Sequence, residues 1–173
     1  MMKIPKKKIS LKKLEHLHTP EELERVQLKY NKLLYHSPSG QVVVVLETDD
    51  KTIAYPLSEF EGAMASFLFL GCALNPHIKT IYQMYLSLLE ETGAKLEAGI
   101  IEAKHGDIFY ATLEFKDKNE RRFRTITSFC DALMLTSLAG AEFYMLRKVV
   151  DEIEDFKDWT YFQEIIDSYD DDD

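Results

Sequence analysis

The chain has 173 residues, 46% of them hydrophobic and 29% charged, the balance of an ordinary soluble globular protein with room for one sizeable core. No apolar run reaches the ~18 residues of a membrane span, and the lysine-rich start lacks the apolar stretch of a secretory leader, so no membrane partner is expected. The net charge of −9 divides unevenly: residues 151–173 hold 11 of the 30 acids and one base, Lys157, leaving 20 bases and 19 acids before them.

Residues 1–18 read as a basic N-terminal arm. Six lysines (Lys3, Lys6, Lys7, Lys8, Lys12 and Lys13) fall in its first 13 residues. They suit either a solvated terminus or contact with nucleic-acid phosphates. His16 and His18 flank Leu17 with no carboxylate or cysteine at ligand spacing, so they make no metal motif.

Thr19-Pro20-Glu21-Glu22 has the form of a capping box, yet Val26, Leu28 and Tyr30 then alternate with polar residues. A strand is therefore expected from about Arg25 to Tyr35. A turn at Ser37-Pro38-Ser39-Gly40 leads to Gln41–Glu47, whose consecutive valines suit a strand buried on both faces, and Thr52–Leu57 follows as another. These three make an antiparallel meander.

Ser58 and Glu61 form a capping box that opens a helix ending near Gly71. Asn75 and Pro76 are expected to open a second helix that stops at Gly93. Leu96–Ala103 and Ile108–Phe115 alternate around a tight turn and form a hairpin. The strand Arg121–Thr127 comes next, with Arg122 and Arg124 on one face. Ser128, boxed by Asp131, caps a helix that Gly140 stops. A short apolar strand, Ala141–Leu146, precedes a charged connector and an acidic helix near Asp155–Tyr169.

The fold class expected is α+β: a mixed β-sheet built from the meander and the hairpin, packed with two to three main helices, plus an acidic C-terminal helix. Residues 19–151 make the α+β domain and residues 152–173 the acidic helix and tail. Cys72 and Cys130, far apart and in apolar surroundings, read as buried thiols in a reducing cytoplasm.

From about Arg25 to Asp151 this order of elements resembles the bifunctional nuclease (BFN) domain family. Glu61-Gly62 matches the acid and small residue that open the helix after that family's third strand. His77 matches a histidine at the start of the next helix. Phe109-Tyr110-Ala111 behind Gly106-Asp107 matches its Phe-Tyr-Ala strand. Of its strongest signature, Asp-Ala-Arg-Pro-Ser-Asp-Ala, only the final pair is present, as Asp131-Ala132. Ile126, Ser128, Phe129 and Cys130 stand where the signature has aspartate, arginine, proline and serine, and Ile78 where an aspartate follows the histidine. The resemblance implies an α+β fold with a mixed sheet, frequent homo-oligomers, and DNase and RNase activity.

Cleavage of a phosphodiester needs charge stabilisation on phosphorus and an activated water, usually from carboxylates holding metal or from a histidine with a cationic partner. His77, Glu61 and Asp131 are the catalytic candidates, and Arg121, Arg122 and Arg124 the phosphate-binding ones. No metal-ligand motif is present, although a nuclease would call for a divalent metal assembled from distant residues. Glu61 and Asp131 serve more readily as helix caps, and the arginines more readily as a solvated strand face. Two readings stay open: a divergent nuclease, and a non-catalytic homo-oligomeric module that binds nucleic acid or protein.

Overall fold

The computed structural model of the chain describes residues 23–69 and 80–165. The lysine arm, Cys72, Asn75, Pro76, His77 and the terminal aspartates lie outside the described residues. The fold is α+β with a mixed sheet, but the expected meander and hairpin lie in two separate sheets. Strands β1 (Arg25–Gln27), β5 (Lys95–His105), β6 (Ile108–Lys116), β7 (Arg122–Ser128) and β8 (Glu142–Leu146) make a five-stranded sheet in the order β1-β8-β5-β6-β7. Its β5 and β8 run parallel, and its other pairs are antiparallel. Strands β2 (Lys29–His36), β3 (Gln41–Glu47), β4 (Thr52–Pro56) and β9 (Phe162–Glu164) make an antiparallel sheet in the order β4-β3-β2-β9.

The single strand expected over Arg25–Tyr35 is broken at Leu28, where the chain leaves one sheet for the other. The Leu28 amide still bonds the Phe143 carbonyl of β8, while the next residue already pairs with β3. Period-two alternation survives the switch because both halves bury their apolar residues in one shared cluster, which includes Val26, Leu28, Leu33, Val44, Ile100 and Phe115.

Helix α3 (Phe129–Ala139) packs on one face of the five-stranded sheet, and seven of its eleven residues are buried. Helix α1 (Glu59–Phe69) lies over β3, and α2 (Ile81–Thr92) packs beside α3. None of the described helices is long and apolar enough to cross a membrane.

Helix α2 does not begin at Pro76. Thr80 is extended (φ −67°, ψ 164°) and caps the helix, with Gln83 completing the box. The T-x-x-Q pattern over Thr80–Gln83 satisfies two orphan amides reciprocally, which sets the first helical residue at Ile81, five residues beyond Pro76.

The acidic C-terminal helix is not formed over the described residues. After the short α4 (Arg147–Asp151) the chain runs irregularly to β9, which pairs with β2. Acidic side chains compete with the helix here: Asp155 accepts from the Thr52 amide, and Asp158 accepts from the amide and hydroxyl of Thr160. Phe156, Trp159 and Phe162, spaced by three, meet edge to face instead of lining a helix.

Helix α3 comes close to β5 at Gly99, where a Cβ would lie 2.8 Å from Thr136 Cγ2 and 3.0 Å from Phe143 Cδ2. Gly99→Ala is therefore expected to destabilise the protein by about 1–3 kcal/mol through overpacking. Adding Thr136→Ser, which removes the nearer methyl and keeps a hydroxyl, should restore part of the loss; urea unfolding of the three proteins checks this.

Candidate functional site

Helices α1, α2 and α3 begin next to one another, so three sets of unpaired amides and three positive dipole ends face one small region. Glu61, in the first turn of α1, accepts the Ser58 amide at 2.9 Å and closes the expected box. The next residue must be small: a Cβ on Gly62 would lie 2.9 Å from the Cβ of Val42 on β3. Asp131, in the first turn of α3, sends its amide to the Ser128 hydroxyl at 3.1 Å. Its carboxylate does not close a box as expected. One oxygen accepts the Tyr82 hydroxyl of α2 at 2.8 Å; the other accepts the hydroxyls of Ser128 at 2.9 Å and Thr127 at 3.4 Å.

Cys130 joins the two carboxylates. Burial pushes its thiol up to about 12, and the nearby Glu61 and Asp131 charges add to this. Tyr82 is pushed well above the usual phenol range by burial, by its bond to Asp131 and by the same charges. Tyr55 on β4 is raised by burial and by Glu61, and its ring stacks on Phe109 and packs against Phe129. At neutral pH Cys130, Tyr82 and Tyr55 thus stay protonated beside the two acids. A thiol so far from ionising is no nucleophile.

Glu61 and Asp131 are therefore brought together, whereas the arginines are placed elsewhere. Phe115 and Phe123 stack on the α3 side of β6 and β7, so the alternate residues Glu114, Arg122 and Arg124 face the other side. That face carries a charge network. Arg25 holds Glu114 through two bonds of 2.8 and 2.9 Å, Arg124 bonds both Glu114 and Glu102, and Arg122 meets Glu97 at 3.3 Å. Burial alone would raise Glu114, but Arg25 and Arg124 bring it below the usual range. Arg121 precedes β7 and pairs with Asp117 at 3.7 Å. All three arginines have carboxylate partners, and the α3 helix with its sheet separates Arg122 and Arg124 from Glu61 and Asp131. His77 lies outside the described residues.

A phosphate entering beside Glu61 and Asp131 would meet two carboxylates with no lysine or arginine in an ion pair with either among the described residues. Sequence reasoning missed Tyr82, Tyr55 and Cys130 as members of this cluster. Thr80-x-x-Gln83 was the available signal for Tyr82, since it fixes which residues occupy the first turn of α2. Compared with known proteins, the chain matches no family model and no curated protein.

The raised groups make an alkaline prediction. Cys130 and Tyr82 lose protons in the unfolded chain near their ordinary values of 9.0 and 10.0 but keep them longer when folded. The folded state then binds more protons, so stability is full below pH 9 and falls as pH rises through 9 to 12. Tyr82→Phe should make this fall shallower above pH 10, a difference visible in urea unfolding at pH 7, 9, 10 and 11 against the parent chain.

Proposed function

We propose that the chain is a non-catalytic, homo-oligomeric protein-binding module on a divergent BFN-type fold. One observation carries this reading: both candidate catalytic carboxylates are engaged by donors of their own chain. Glu61 takes the Ser58 amide, and Asp131 takes three hydroxyls. A general base or metal ligand needs lone pairs turned to substrate or ion, and here they are directed at helix ends. The cluster acts as a clamp that fixes the starts of α1, α2 and α3.

Apolar surface supports the binding half of the reading. Helix α2 buries no residue fully, and Ile81, Met84, Tyr85 and Leu88 recur at helical spacing on an exposed side. A stripe of this kind without charge is the usual mark of a protein contact. The protein would work in a reducing compartment such as the cytoplasm, where the Cys130 thiol stays free.

A second reading, nuclease action on DNA or RNA phosphodiesters, is favoured by the convergence of Glu61 and Asp131. In it His77 and a divalent metal would complete the centre and the N-terminal lysines would hold nucleic acid. The test is incubation of labelled single-stranded DNA and RNA with the pure protein in Mg²⁺, Mn²⁺ or EDTA. A folded His77→Ala/Asp131→Asn variant runs alongside. We expect no cleavage above background from either protein. Metal-dependent cleavage lost in the variant would replace the binding reading with the nuclease one.

A further inference from the structure

The edges of the two sheets are unequal. β1 and β9 have three residues each, and β4 ends on Pro56 and is flanked by the chain at Asp155 and Phe156. β7 is different: it has seven residues, no proline and no register irregularity against β6, and among the described residues no strand lies beyond it. Natural edge strands are normally short, kinked or charged, because a long flat one is a template for another strand.

The backbone pattern of β7 fixes what such a strand could offer. The Asp117 amide bonds the Arg121 carbonyl, and the pairing continues without a shift to Tyr110 and Ser128. By alternation, Phe123, Thr125 and Thr127 turn their N–H and C=O groups toward β6, while Arg122, Arg124 and Ile126 turn theirs away from the sheet. The side chains are uncovered too. Ile126 is 79% exposed and Phe123 45%.

We propose that β7 pairs antiparallel with β7 of a second copy, with Thr125 opposite Thr125 on the two-fold axis, joining the two five-stranded sheets into one. This rests on the self-associating reading above and names its interface. Thr125 is the midpoint of Arg122–Ser128, so this register overlaps the whole strand. It sets the outward backbone groups of Arg124 against those of Ile126 in the second copy, where they exchange hydrogen bonds. On one face Arg124 lies beside Ile126 and Arg122 beside Ser128; on the other, Phe123 lies beside Thr127. No like charges stand opposite, and Thr–Thr and aromatic–threonine neighbours are favourable cross-strand pairs.

The arginines would ordinarily guard this edge by repulsion. Arg124 is held by Glu102 and Glu114, and Arg122 by Glu97, so the repulsion is neutralised within each chain. A strand that is complementary to itself about its own centre fits an isologous dimer.

Opposed residues that do not exchange backbone bonds have Cα atoms about 4.5 Å apart, within the span of a disulfide. In a Cys72→Ser background, Thr125→Cys should therefore cross-link two chains under mild oxidation, whereas Thr112→Cys on β6 should not. Ile126→Pro removes an N–H that β6 does not use, so it should fold and yet sediment at the chain mass of 20.1 kDa, where the parent sediments at twice that. If Ile126→Pro fails to fold, hydrogen exchange decides: the Arg124 and Ile126 amides should slow as protein concentration rises. A parent chain that is monomeric overturns both the pairing and self-association. A dimer that Ile126→Pro leaves intact, without Thr125 cross-linking or amide protection, overturns the β7 pairing alone.

Discussion

Three helix starts placed side by side are the constraint on which the centre of this molecule depends. Each start leaves amide donors without intrahelical partners and contributes a positive dipole end, so bringing three together is unfavourable unless anions are supplied. Glu61 and Asp131 supply them from within the first turns of α1 and α3. The Tyr82 hydroxyl ties α2 to the same carboxylate that serves α3. Because the Cys130 thiol is buried near both acids, it stays protonated where a thiolate would repel them. The polar cluster and the hydrophobic core are thus continuous: Phe129, Ala132 and Leu133 on the same turns of α3 are fully buried.

The far face of the five-stranded sheet solves the opposite electrostatic problem. No helix is needed there to cover charge, because Arg25, Arg122 and Arg124 are interleaved with Glu97, Glu102 and Glu114. Individually such surface pairs contribute little, on the order of 0–1 kcal/mol. Glu114 departs from that expectation. Shared between Arg25 and Arg124, it is a small network with one side-chain order fixing two cations. Its consequence is functional more than energetic, since paired arginines present little net positive charge to a phosphate.

Much of the architecture was legible in the sequence where one local signal stood alone. Gly93 and Gly140 end α2 and α3 in the left-handed conformation, and the Lys104–Asp107 turn joins the expected hairpin. Reading failed where two signals competed. Asn75-Pro76 and Thr80-x-x-Gln83 both mark helix starts, and the box won because it satisfies two amides in reciprocal fashion. Acidic residues after Asp151 suggested a helix, but Asp155 and Asp158 bind backbone amides locally and hold the chain irregular. The break at Leu28 left no trace at all, since alternation is blind to which sheet a strand joins. For the site, the adjacency of Glu61 and Asp131 could not be read from residues seventy positions apart; it is set by the way α1 and α3 pack over different sheets.

Polar side chains in this fold are largely satisfied within the chain, and among the described residues no buried side-chain nitrogen or oxygen lacks a partner. What remains open is of another kind: backbone groups along one sheet edge and an apolar stripe on one helix. Unspent backbone hydrogen bonds and uncovered apolar area are the interactions by which proteins recognise other polypeptides, whereas turnover of a phosphodiester requires cations, an acid–base pair and lone pairs aimed outward. With Glu61 on a helix amide, Asp131 on three hydroxyls and the arginines on acids, the described residues keep their uncommitted groups along the β7 edge and the α2 surface. That distribution, more than any one residue, is what the proposed association with another polypeptide rests on.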